Sequence, residues 1–412
     1  MNIIHDICCG IDVHAKTVVV CLIKRGKKQI RTYSTMTDDL LALSEWLVSE
    51  GCKHVAIEST GVYWKPVFNI LEGSLEVVLV NARHVKAVPG RKTDVRDCEW
   101  LADLLRHGLL RASFIPPLPT RELRELTRHR YTLVSDQTAV TNRIIKLAES
   151  ANIKLAQVAS NALGVSGRAM LRALSRGEQD TTKMAEMARG ALREKQGQLR
   201  RALKGNLTRS QRFVLKELLD QLEQLEAAVA RVSEEIREQI EVNSDPFVKE
   251  AVRLLQTIPG VGEQVAEVIV SEIGTDMTRF PSDKHLSSWA GMCPGNNESA
   301  GKRKSGKTTK GSNYLRAALT QAGWAASHTK NTYLAAQHKK LARRIGKKKS
   351  LVAVGHSILV IAYYILKNQA SYHELGGDYF DRQNVDLQRA RLIRKLESLG
   401  LKVTVKVVPE AA

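Results

Sequence analysis

A chain of 412 residues, 43% of them hydrophobic, is long enough to bury two or three cores. Its 63 lysines and arginines against 43 acids give a formal net charge of +20, which points to a polyanionic partner, nucleic acid before an anionic membrane. The six cysteines form no C-x-x-C pair, which argues against structural zinc and a disulfide scaffold and fits a reducing cytosol.

The N-terminus, MNIIHDICCG, lacks the basic region and apolar run of a signal peptide. DICCGID, TVVVCLI and QIRTYST read as three strands. From Asp38 to Glu50, the spacing of Leu40, Leu41, Leu43, Trp46 and Leu47 predicts a helix. HVAIEST is a strand ending at Glu58, VYWKPVFNILEG is helical, EVVLV is a strand and CEWLADLLRHGLL is helical. This order predicts an α/β domain with a mixed sheet over residues 1–120, punctuated by IPPLP at 115–119.

The remainder reads as almost wholly helical. Leu215, Leu218, Leu222, Leu225, Val229, Val232 and Ile236 alternate steps of three and four, which predicts a coiled coil within residues 121–245. Such a seam needs a partner helix, from a second copy or from the chain itself. SDPF at 244–247 ends that segment and opens a unit over 246–370, followed by a tail at 371–412. The apolar run from Ser350 to Leu366 is shorter than the roughly 20 residues of a membrane span and contains His356 and Ser357. A buried helix, with no membrane contact, is expected there.

Four acids occupy suggestive positions. Asp12 ends the first strand, where an unpaired carboxylate would be costly unless it binds something. Glu58 ends a later strand. Asp94 and Asp97, in RKTDVRD, lie three residues apart at a helix start and so share one face. Singly, capping and dipole pairing explain the last two. Together the four suit a hard divalent cation such as Mg²⁺, which takes oxygen ligands; two such ions can clamp both sides of a phosphodiester. Actin-like ATPases and sugar kinases also open with a strand, an Asp and a hairpin, but they need Gly-rich phosphate loops that are missing from this sequence.

Two further stretches bear on nucleic acid. LLQTIPGVGEQVAEVIVSEIG, 254–274, sets Gly260 and Gly262 between helical segments, the helix-hairpin-helix pattern that lets backbone amides approach a phosphate. A tight turn inside a helical domain is the plainer reading. Residues 289–319, rich in Gly, Ser, Asn and Lys, read as a loop carrying Ser299 and Ser305. No acid occurs between Ser299 and Lys349. That segment holds Lys302, Arg303, Lys304, Lys307, Lys310, Arg316, Arg343, Arg344, Lys347, Lys348 and Lys349 as candidate phosphate contacts.

GID in the first strand, AIEST-G-VYW, RKTDVRDCEWLADLLRHG, IPGVG, SEIG-x-x-x-x-RF, AGMCPG-x-x-x-SAGK and GSNYLRAAL together resemble the DEDD-type insertion-sequence transposases. These include bridge-RNA-guided recombinases and Piv-type DNA invertases. The resemblance covers residues 7 to about 366. It implies a RuvC-like (RNase H-like) N-terminal domain, a coiled-coil insertion and a C-terminal transposase domain. It implies that Asp12, Glu58, Asp94 and Asp97 bind Mg²⁺. The family's nucleophilic serine follows the G-x-x-P turn, usually as Ser-Gly. Ser299 holds that position but is followed by Ala300, so Ser305-Gly306 is a second candidate. The resemblance further implies a homo-oligomer (a dimer or tetramer), donor and target DNA paired by a structured guide RNA, and action at the nucleoid in a prokaryotic cytoplasm. The expected function is Mg²⁺-dependent DNA recombination through a serine-phosphodiester intermediate. The alternatives are a hydrolytic RuvC-like nuclease or Holliday junction resolvase, in which water attacks, and a non-catalytic scaffold.

Overall fold

The computed structural model describes residues 2–59, 61–81, 97–243, 245–294, 297–299, 302–305, 308, 310–382 and 385–404, with the backbone alone at 297–299, 302–305, 385–388 and 391. The chain divides into two compact units, Met1–Ile115 and Pro116–Ala412.

The first unit is built on a mixed five-stranded sheet. Strands β1 (Ile7–Val13), β2 (Thr17–Lys24) and β3 (Lys27–Ser34) form an antiparallel meander. Helix α1 (Thr37–Ser49) then crosses to β4 (His54–Glu58), and α2 (Trp64–Leu71) crosses to β5 (Glu76–Val80). Both of these strands run parallel to β1, giving the order β3-β2-β1-β4-β5. The exposed Lys27, Lys28 and Arg31 on the edge strand discourage further pairing.

Period-two alternation divides the sheet into two faces. Cys9, Ile11, Val13, Val55 and Ile57 pack with Leu40, Leu43 and Leu47 of α1 and Val67 and Leu71 of α2. Cys8, Cys21, Ile23 and Ala56 face the other way, against Cys98, Leu101, Ala102 and Leu105 of α3 (Asp97–Arg106). Gly10 lies on this second face. A β-carbon there would sit 2.2 Å from the Cys98 carbonyl oxygen and 2.4 Å from the Ala102 nitrogen. The helix backbone therefore rests directly on the strand, and only glycine fits between them.

In the second unit, α4 (Leu118–Ser150) and α9 (Arg209–Glu241) are 33 residues each. They run antiparallel: Gln137 bonds Glu226 near their middle, and Ser150 meets Gln211 at one end. Short helices α5 (Leu155–Val158), α6 (Val165–Ser175), α7 (Thr181–Glu186) and α8 (Gln196–Ala202) lie between them in sequence. Together they close a core containing Ile144, Met170, Met184, Leu199, Leu215, Leu219 and Leu222. The α9 start is fixed by a capping box between Thr208 and Gln211. All seven positions of the heptad series are buried or half-buried within the chain. The partner that the seam requires is supplied by the chain's own helices, so the seam by itself does not call for a second copy.

Beyond the break at Asp245, whose carboxylate accepts a hydrogen bond from the Phe247 amide, come α10 (Phe247–Leu255), α11 (Glu263–Ile273) and α12 (Asp283–Trp289). A hairpin, β6 (Asn297–Ser299) and β7 (Lys302–Ser305), leads to α13 (Asn313–Ser327), α14 (Tyr333–Ile345) and α15 (Lys347–Asn368). Helices α16 (Tyr379–Arg382) and α17 (Val385–Glu397) follow. Helix α15 is long and apolar enough to cross a membrane, yet half of that stretch is buried inside the unit. Its buried Val354, Ile358, Leu359 and Ala362 make it a core helix, as its polar residues suggested.

A buried polar seam joins α4 to α11. Arg130 pairs with Glu267 at 2.6 Å, and both side chains are at most 5% exposed. Arg128 holds Glu272 through two bonds of 2.7 and 2.9 Å, and Arg124 donates to the carbonyls of Ser271 and Glu272. Breaking one buried partner strands the other, so such pairs fix one arrangement more than they add net stability.

Gly10→Ala is expected to lower the urea unfolding free energy by about 3 kcal/mol, the upper range for overpacking, because two backbones would have to separate. An unchanged denaturation midpoint would contradict the packing of α3 on β1.

Candidate nucleic-acid site and carboxylate face

Asp12 and Glu58 are brought together by strand register. Ile11 pairs with Ile57 in the parallel β1–β4 ladder, so the next pair is Asp12 and Glu58, side by side at the carboxyl ends of neighbouring strands. Alternation puts both on the face of Cys8, Gly10 and Ala56, the face covered by α3. Asp97 is the first residue of α3, where a carboxylate complements the helix dipole. Its neighbour Cys98 lies close enough to Asp12 to feel its charge. Burial pushes the Cys98 thiol up to about 11, and the Asp12 carboxylate adds to that shift. The thiol therefore stays protonated near neutral pH in the metal-free protein. The Asp12 side chain is 15% exposed and lies 3.2 Å from His14 Nε2.

Asp12 and Glu58 thus share one face of the sheet, Asp97 opens the helix that covers it, and Asp94 lies outside the described residues. Among the described residues, no group of three or more His, Cys, Asp or Glu side chains is close enough together to hold a metal ion. The donor set still suits Mg²⁺, which keeps several waters and commonly takes only one or two protein carboxylates. Sequence reading missed Gly10 and His14. The available signal was a glycine in the middle of a strand, which marks close backbone approach.

The IPGVG segment forms the expected turn between α10 and α11. Gly260 has φ +88°, and a β-carbon there would lie 2.5 Å from both the Ala322 oxygen and the Ala326 nitrogen of α13. Packing within the protein accounts for this glycine. Gly262 differs: it precedes α11 as its N-cap, and a β-carbon there would meet nothing within 4 Å.

The stretch expected to be a loop contains an antiparallel hairpin. Ser299 pairs with Lys302 beside the turn, whereas Ser305 pairs with Asn297 at the open end, which a Pro294–Thr308 bridge extends. The ladder therefore places the two candidate serines at opposite ends. Lys302, Arg303 and Lys304 lie on the return strand, and Lys307 falls outside the described residues. Lys310 is exposed. Arg316 is half-buried, and its guanidinium donates to the Gly291 carbonyl at 3.4 Å, so it also braces the turn before the hairpin.

Arg343, Arg344, Lys347, Lys348 and Lys349 are all exposed where α14 meets α15. The arginines suit the C-terminal end of α14. The three lysines occupy the first turn of α15, which contains no acid. Cations there oppose the helix dipole, an arrangement that a bound anion would relieve.

Comparison with known proteins covers both regions. Residues 9–153, which include all four acids, match the model for DEDD transposases of the IS110 group, described as "Transposase". Residues 252–339, which include IPGVG and both serines, match "Transposase IS116/IS110/IS902 family". A "Probable family 20 transposase" of Pseudomonas aeruginosa is 25% identical over 318 residues, covering 75% of this chain and 77% of that protein. The "Pilin gene-inverting protein" of Moraxella bovis is 22% identical over 376 residues, covering 88% and 96%. With these matches over the carboxylate face and the serine hairpin, the chain belongs to the IS110 family of transposases.

Proposed function

We propose that this transposase cuts and rejoins DNA strands through a serine-phosphodiester intermediate, with Ser299 as nucleophile and Asp12, Glu58, Asp94 and Asp97 as an Mg²⁺-binding carboxylate set. The observation that carries the reading is the register of Asp12 beside Glu58 at the ends of two parallel strands, on the face that begins α3. The relatives' names, a transposase and a gene-inverting protein, support DNA rearrangement over simple hydrolysis.

Asp12 and Glu58 would be the inner ligands, with Asp97 and Asp94 approaching from the helix side. Bound Mg²⁺ would draw charge from the phosphoryl oxygens and favour ionisation of the attacking hydroxyl. The rest falls to the chain. Ser299 Oγ bonds to phosphorus, the bond from phosphorus to the departing strand's oxygen breaks, and the hydroxyl proton leaves to a nearby base. The number of ester bonds is unchanged, so a strand hydroxyl can reverse the step without ATP. Lys302, Arg303 and Lys304, which follow Ser299 in the hairpin, would offset charge on the pentacoordinate phosphorus. The acids and the serine must meet, within one chain or between copies in a dimer or tetramer. The acid-free basic segment would hold donor and target DNA and the structured guide RNA that selects them.

Ser299→Ala is expected to abolish the covalent protein–DNA adduct on a denaturing gel, and all strand exchange, while DNA affinity stays near wild type. Ser305→Ala should keep the adduct. An adduct lost only in Ser305→Ala would transfer the role to that residue. Cleavage by the wild-type protein without any adduct would favour the hydrolytic RuvC-like nuclease. Asp12→Ala alone should be inactive, and mixing it with Ser299→Ala should restore activity only if the two groups meet between copies.

Replacing Lys347, Lys348 and Lys349 together by Ala is expected to flatten the log–log salt dependence of duplex binding by about 2.7, or 0.9 for each lost phosphate contact. An unchanged slope would show that these lysines face solvent alone.

A further inference from the structure

Of the five tryptophans, four are buried or half-buried, and Trp324 exposes 57% of its surface. A lone exposed aromatic needs no explanation, but the setting of this one is unusual. Helix α13 packs inward through Leu315, Leu319, Ala322 and Ala326, and Gly323 lets its backbone touch α15. A β-carbon on Gly323 would lie 2.7 Å from the Leu351 carbonyl oxygen. Leu351 is about one helical turn beyond Lys347. Trp324 is thus the neighbour in sequence of the residue at the helix crossing, and three exposed lysines open α15 one turn before Leu351.

The indole is also held in place. The His328 ring lies 4.5 Å from it, and His328 Nδ1 sits 2.8 Å from the Trp324 carbonyl oxygen. On α14, His338 bonds Ser350 of that same first turn of α15 at 3.0 Å. No Asp or Glu occurs anywhere from Ser299 to His373, so α13, α14 and α15 carry no acid of their own, and Glu374 of the following segment accepts a hydrogen bond from the Tyr333 amide at the start of α14. That charge disfavours a second copy of a +20 chain as the occupant and favours a polyanion with flat apolar groups.

We infer that Trp324, backed by His328, is a stacking platform for an unpaired DNA base, with the flanking phosphates on Lys347, Lys348 and Lys349. An indole cannot reach a base face inside an intact duplex, where each face is covered by its neighbours. It stacks on a base in a single strand, as in proteins that pair a basic groove with exposed aromatics. Strand exchange opens duplex DNA and presents such bases. The inference rests on the proposed nucleic-acid role of the basic segment and adds a preference for one DNA state.

The test is fluorescence anisotropy with a short single-stranded DNA, the matching duplex and an RNA of the same sequence. Trp324→Ala is expected to bind the single-stranded DNA about tenfold more weakly, the loss of one stacked base, with duplex affinity unchanged. Trp324→Phe should recover most of the loss. Wild-type affinity of Trp324→Ala for single-stranded DNA, alongside weakened binding when the three lysines are replaced, would overturn the platform and leave the basic surface standing. No binding of any nucleic acid by the wild-type chain would instead overturn the underlying role. An equal loss on duplex, a tighter Trp324-dependent interaction with the RNA, or a smaller light-scattering mass for Trp324→Ala without DNA would each reject the unpaired-DNA assignment.

Discussion

The close approach of α3 to β1 at Gly10 is the contact on which the N-terminal unit depends. Any side chain at that position would push two backbones apart, since the nearest helix atoms lie 2.2 and 2.4 Å from where its β-carbon would be. The consequence is local and geometric. With α3 seated on the strand, Cys98 comes within reach of the Asp12 charge, and Asp97 begins the helix that covers the face of Asp12 and Glu58. Strand pairing supplies the rest, because a parallel register puts two carboxylates side by side at the sheet's end. A carboxylate face of this kind is a product of topology: the parallel register sets residues 12 and 58 side by side although they are far apart in sequence.

The second unit uses charge in two distinct ways. Inside, arginines of α4 are neutralised by Glu267 and Glu272 of α11, and removal from water makes the pairing strict. Burial pushes the Glu267 carboxyl up, and Arg130 pulls it back down. Outside, from Ser299 to His373, the chain carries cations with no acid at all. The two patterns have different consequences: the inner pairs hold helices in register, and the outer surface remains attractive to phosphates over the screening length of salt solutions.

Much of this was legible from local patterning. Runs such as TVVVCLI and HVAIE declare strands, and the order of strands and helices in the first 80 residues leaves little room for any arrangement but a mixed sheet. Three features were not legible, each because the deciding partner is far away in sequence. The heptads from Leu215 announce that a partner is needed, but nothing local says that it is α4, whose Gln137 lies 89 residues before Glu226. Arg124, Arg128 and Arg130 look like an ordinary solvated face until Glu267 and Glu272 are set against them. Gly260 matches a phosphate-binding turn in sequence, yet Ala322 and Ala326 determine its size. The hairpin at 297–305 was hidden for another reason: its Gly, Ser, Asn and Lys composition carries no apolar alternation to mark it as strand.

The central claim is that Asp12 and Glu58 form the core of a divalent-cation site. Electron paramagnetic resonance of free Mn²⁺ titrated with the full chain tests it without relying on recombination. The account predicts that the wild-type protein depletes the free-ion signal, and that Asp12→Asn and Glu58→Gln do not while retaining wild-type circular dichroism. Equal Mn²⁺ binding by the wild-type chain and both folded variants would contradict it.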